Sequence, residues 1–172
     1  MTLYIPLQDV DNQHCAMIVQ NGLKDLSDID SLNIEINNQR AVVETEKPEE
    51  ILPKAVKTIR DLGYNVPTLV KTYPVMNLSC ASCAGNTQAV LNNQIGVVKA
   101  EVNYANTQAK IEFIPSLTSS EKLKQAVQAA GYDLIIDESD EAKESLEQIK
   151  EDNYKKLKKR VIGAMIFAVP LF

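Results

Sequence analysis

"NLSCASCAGNTQAVL", residues 77–91, sets Cys80 and Cys83 two residues apart at the start of a run with helical spacing. Small and polar neighbours suit a loop that opens a helix. "DNQHCAMIVQ", residues 11–20, has the same shape with Asn12 in the place of the first cysteine. Laying Cys15 on Cys83 gives an offset of 68 residues that runs without a gap as far as Tyr64. Ala16 then meets Ala84, Leu23 meets Leu91, Asn38 meets Asn106 and Ala41 meets Ala109. Glu44 meets Glu112, Lys54 meets Lys122, and Gly63-Tyr64 meets Gly131-Tyr132; upstream, Pro6 meets Pro74. An ungapped match with a shared Gly-Tyr ending points to two copies of one small unit.

The order of elements follows from periodicity. "LVKTYPVM", residues 69–76, is rich in β-branched and aromatic types and reads as a strand. Cys83, Thr87, Val90 and Leu91 recur at helical spacing over 82–92. "VVKAEVNY" (97–104) and "QAKIEFI" (108–114) alternate as strands, with "ANT" as the turn between them. Residues 118–131 form a helix with a Ser or Thr cap and a glycine stop, and "YDLIID" (132–137) is a last strand. The order βαββαβ is the ferredoxin-like arrangement of the α+β class. The first copy repeats it with strand 2–8, helix 13–24, strands 29–37 and 40–46, helix 49–62 and strand 64–69. The copies abut with almost no linker, and Pro67 stiffens the join. Two domains, 1–67 and 68–137, with a restricted relative orientation are expected.

Composition narrows the partners. The chain has 172 residues and a net charge of -5, with no basic patch over the main body, which argues against a nucleic-acid partner. Three cysteines are too few for a secreted disulfide framework, and "MTLYIPLQDV" lacks the basic start and apolar run of a signal peptide. The body reads as cytosolic and reduced. Beyond it, residues 138–160 run from acidic to basic with apolar residues at roughly helical spacing. That pattern suits a linker helix, solvated or lying on a membrane surface. "VIGAMIFAVPLF", residues 161–172, is apolar throughout but shorter than the ~20 residues a membrane span needs. With "KKLKKR" (155–160) directly before it, it reads as the start of a transmembrane helix whose N-terminal side is cytosolic. The alternative is a buried terminal segment.

A CxxC on a strand-to-helix loop puts both sulfurs at a helix N-terminus, where backbone N–H groups and the helix dipole favour thiolates. Two thiolates on one loop suit a soft d¹⁰ ion that accepts two-coordination, and soft sulfur selects Cu(I). A structural zinc site wants four ligands, and neither a second CxxC nor a nearby histidine supplies them. Residues 77–79, Asn-Leu-Ser, offer no carboxylate. Two other readings remain beside the metal site. One is a thioredoxin-like redox dithiol, which usually sits beside Trp, absent here. The other is a pair of inert core cysteines.

"NLSCASCAGNTQAVL", with "GYDL" (131–134) downstream, resembles the heavy-metal-associated domain, a family of copper chaperones, mercury-binding proteins and N-terminal modules of heavy-metal P-type ATPases. Tandem copies followed by a helix and a hydrophobic segment are similar to the start of a copper-transporting P-type ATPase. The resemblance implies that Cys80 and Cys83 bind Cu(I), and that Tyr132 lies in a loop packed near the metal. It implies delivery by a small copper chaperone and a place at the cell membrane, with residues 1–160 cytoplasmic. Leu78 stands where the family usually has Met and is expected to be a buried anchor. In the first copy Asn12 supplies no thiolate. Cys15 is expected to be a small buried residue at a helix start, with His14 an exposed neighbour. A His14/Cys15 site, or Cys15 lending a third sulfur, is the alternative. No Asp-Lys-Thr-Gly phosphorylation motif and no Cys-Pro-Cys occur, so the catalytic parts of an ATPase would lie beyond Phe172. A freestanding soft-metal buffer protein is the competing reading.

Overall fold

The computed structural model describes residues 1–136. The expected linker helix (138–160) and apolar segment (161–172) lie outside the described residues. Among the described residues no helix is long and apolar enough to cross a membrane.

The first copy contains β1 (Thr2–Pro6), α1 (Gln13–Lys24), β2 (Ser31–Glu35), β3 (Arg40–Glu44) and α2 (Pro48–Asp61). Its strands form an antiparallel sheet in the order β1-β3-β2, in register from Thr2 opposite Glu44 to Pro6 opposite Arg40. Period-two alternation sends Leu3, Ile5, Ala41 and Val43 to one face, where they are buried. Ala16, Val19 and Leu23 from α1 and Ile51, Leu52, Ala55, Val56 and Ile59 from α2 recur at helical spacing and close over that face. Pro48 opens α2 at a position where its missing N–H costs nothing, and Glu49 and Glu50 in the first turn suit the helix dipole.

The second copy repeats this with β4 (Leu69–Met76), α3 (Ala81–Asn92), β5 (Val97–Asn103), β6 (Gln108–Phe113), α4 (Ser120–Ala129) and β7 (Asp133–Leu134). The sheet order is β5-β6-β4-β7. Tyr73, Val75, Ala109, Ile111 and Phe113 face Ala84, Leu91, Leu123 and Val127 in its core. Ser119 caps α4 by accepting from the Lys122 N–H, and Gly131 ends the turn after it with φ 88°. Both copies are thus ferredoxin-like βαββαβ units.

One expectation changes. The strand read at 64–69 shrinks to a single bridge between Gln8 and Asn65. Pro67 has no N–H to donate to a ladder, and the Asn65 side chain takes the Val66 N–H at 3.0 Å, curling the chain away. Leu69 already belongs to β4, so the chain passes from one sheet to the next within four residues of Asn65.

The copies touch. Ile114, which follows β6, is buried in the first copy's core, and Ile95, Val98 and Leu117 pack against the same core. A polar clasp runs beside these contacts. The Arg60 guanidinium on α2 donates to Glu112 Oε1 on β6 at 2.7 Å and to Thr68 Oγ1 at 2.9 Å. The Thr68 hydroxyl also donates to Glu112 Oε1, at 2.7 Å. Residues 1–136 form one compact unit.

Candidate metal-binding site

β4 runs out at Met76, and Asn77 turns the chain with φ 66°. Asn tolerates that left-handed conformation better than most residues. Leu78 is buried, the anchor expected at that position. It pins the loop to the second core while Ser79 stays exposed. Cys80 is the N-cap of α3, in extended conformation at φ -153°, ψ 162°, and its Sγ accepts from the Cys83 N–H at 3.2 Å. The sulfurs therefore sit where the first-turn N–H groups of α3 converge.

Cys80 and Cys83 are both half-buried and are joined as a disulfide with a Cα–Cα separation of 5.2 Å. Each sulfur has a hydroxyl beside it: Ser82 Oγ lies 3.1 Å from Cys80 Sγ, and Ser79 Oγ lies 3.5 Å from Cys83 Sγ. The first turn of α3 holds no acidic residue. Among the described residues no group of three or more His, Cys, Asp or Glu is placed to hold a metal. The loop offers two sulfurs as its soft ligands, which suits an ion of low coordination number better than tetrahedral zinc.

A tyrosine of the β5–β6 turn reaches this loop. Tyr104, in the turn between β5 and β6, donates its hydroxyl to the Ser79 carbonyl at 3.2 Å. Tyr132 is half-buried against the second core, as is Cys83. Hairpin-turn tyrosines carry no pattern that marks such a contact, so Tyr104 was not legible from sequence.

The first copy's matching loop is built alike but lacks the pair. Asn12 is the N-cap of α1 at φ -145°, ψ 167°, and its Oδ1 accepts from the Cys15 N–H at 2.9 Å. Cys15 is a free thiol, half-buried against the first core rather than fully buried, and His14 is exposed. The Tyr64 phenol is pushed above its ordinary value by its hydrogen bond with Cys15 and by burial. Cys15 and Tyr64, the match of Tyr132, both pack against the first copy's own core.

The heavy-metal-associated domain family matches residues 7–65 and again 72–133. The copper-exporting P-type ATPase of Staphylococcus aureus (strain JH9) is 30% identical over 165 residues, which are 95% of this chain and 20% of that protein. The chain thus spans about a fifth of the length of the curated relatives it matches. Among solved structures, the water-soluble region of the P-type ATPase CopA from Bacillus subtilis superposes with a TM-score of 0.62 at 26% identity, covering 78% of this chain and 89% of that one. The N-terminal soluble domains of B. subtilis CopA give 0.62 at 27% identity, covering 81% and 96%. With two matched segments over two ferredoxin-like units, the chain belongs to the heavy-metal-associated domain family.

Proposed function

We propose that this chain is the cytosolic copper-binding and delivery region of a copper-exporting P-type ATPase, and that Cys80 and Cys83 hold one Cu(I). The observation that carries the reading is a half-exposed pair of sulfurs on the loop that opens α3, with no third soft ligand beside it among the described residues. Relatives named as copper-exporting P-type ATPases support it.

The metal is cargo. The reduced pair is the working form: the thiol pool of a reducing compartment supplies two electrons and two protons to the disulfide, giving two thiols. Each thiol gives up its proton when Cu(I) binds. The Cys83 N–H and the flanking hydroxyls stabilise the sulfur charge that results. Delivery from a small copper chaperone proceeds by ligand exchange. An incoming thiolate joins the ion, a three-coordinate complex forms, and one donor thiolate leaves and is reprotonated. Onward transfer to the rest of the ATPase uses the same exchange.

The parent protein resides in the cell membrane, with residues 1–160 on the cytoplasmic side and 161–172 beginning a span. The domain limits that go with this reading are 1–67, 68–137, 138–160 and 161–172. Anaerobic titration of the reduced chain with Cu(I) against a chromophoric competitor tests it. One tight Cu(I) per chain is the expected result. Tighter uptake of Zn(II), or none of Cu(I), would overturn it.

A further inference from the structure

The two copies differ at the end of the fold opposite the thiol loop. In the second copy that end carries Ile95, Val98, Ile114 and Leu117. The residues 68 positions earlier are Ser27, Asp30, Glu46 and Glu49. Ser27, Asp30 and Glu46 are exposed and Glu49 is half-exposed, whereas Ile114 is fully buried in the other copy's core. One fold therefore tolerates polar residues at all four places. The apolar set in the second copy answers to the neighbour, not to the fold's own core.

The backbone is shaped for the same contact. A bulge between Val97 and Lys99 leaves Val98 outside the β5–β6 ladder, and Val98 packs on the first core. Bulges re-aim a side chain in this way. Gly96, at φ 97°, brings the chain so near Leu117 and Thr118 that an added Cβ would lie 2.9 Å from Leu117 Cβ. Its carbonyl accepts the Ile114 N–H at 2.8 Å, tying two of the docking segments together. Where the first copy begins α2 at Pro48, the second has a turn closed by the Leu117 and Thr118 N–H groups on the Ile114 carbonyl.

We infer that the first copy, which lacks the thiol pair, serves as a built-in structural partner. It covers an apolar end that the second copy cannot leave in water, and the two fold and tumble as one body. Strand register places the thiol loop away from that end. Leu69, opposite Phe113, is at the docked side, and Met76 leads to Cys80 at the other, roughly 20 Å along β4. The second copy is thus held at one end and free at the other, whatever metal its sulfurs take.

The test starts with the unaltered full chain. NMR relaxation is expected to give residues 1–66 and 69–136 one correlation time, and heating one transition for both. Two clearly different correlation times would overturn the inference. A variant then exchanges the docking residues for their counterparts: Ile95→Ser, Val98→Asp, Ile114→Glu and Leu117→Glu together. With dispersed amide signals from both copies, it should show two shorter correlation times and two melting transitions. A variant that still tumbles and melts as one body would also overturn it. The relaxation measurement on the unaltered chain decides whether or not the variant folds.

Discussion

Asn12 and Cys80 hold the same post in the two copies. Both are helix N-caps in extended conformation, and both accept the N–H of the residue three places on, Asn12 through Oδ1 at 2.9 Å and Cys80 through Sγ at 3.2 Å. Asn is among the preferred residues for this post, whereas sulfur is a weak acceptor. The second copy therefore gives up cap strength for a second soft ligand, and the first does the reverse. The difference teaches that the loop's shape does not depend on the metal site. It is kept by the cap hydrogen bond, and the metal chemistry is added by one side chain.

Breaking the pair gives the largest effect. Cys80→Ser or Cys83→Ser should remove the tight Cu(I), taking the stoichiometry in an anaerobic titration from one to none. Cys15→Ser should leave it at one, since Cys15 packs against the core of the first copy. A large loss on Cys15→Ser would show that the first copy lends a ligand after all.

Next comes the core that the copies share. Ile114→Ala deletes side-chain volume at a fully buried place and should cost about 2–4 kcal/mol. The loss should be visible in the first copy, as faster amide hydrogen exchange at Val43 and Val56, although residue 114 belongs to the second. Unchanged protection there would separate the two cores.

Asn12→Cys sharpens the comparison from the other side. It should weaken the α1 cap by about 1 kcal/mol, read as a lower melting temperature. It should also complete a CxxC with Cys15 and raise Cu(I) uptake to two per chain. A stoichiometry that stays at one would mean that the first copy's loop differs by more than its missing thiol.

The smallest effect is acid loosening of the clasp. Burial works to raise the Glu112 carboxyl. The hydrogen bonds from Arg60 and Thr68 and the Arg60 charge outweigh it, and the group sits below its ordinary 4.5. A depressed carboxyl contributes stability that is present above its unfolded value and is lost as the pH falls through the folded one. The loss should therefore appear only below about pH 4.5. The ion pair is partly exposed, so it should amount to less than about 1 kcal/mol. Glu112→Gln should remove this step from the pH dependence of unfolding. An unaltered step would assign it to another carboxylate.

Much of this was open to reading in the sequence because it is local. The strand at 69–76 and the helix at 13–24 follow from spacing alone, and the structure gives the same bounds. The site loop was legible for the same reason, since both sulfurs, their cap and their hydroxyl neighbours lie within five residues. The first copy's last strand was misjudged because alternating apolar residues say that a segment can pair. They do not say whether Pro67 leaves it the donors to do so.

Hydrophobic spacing records that a side chain is hidden from water, and backbone chemistry records where a helix or turn starts. Both are properties of a few neighbouring residues, and they were enough for the repeat, the order of elements and the thiol pair. Which surface hides a side chain is a matter of how distant segments meet. Ile114 falls on the outward phase of β6 with Lys110 and Glu112, yet it is buried in the other copy's core, and Val98 joins it through a bulge that no spacing announces. Tyr104 meets the Ser79 carbonyl across 25 positions of chain. Such contacts are set by the packing of whole sheets and helices. They exist only once the chain has folded.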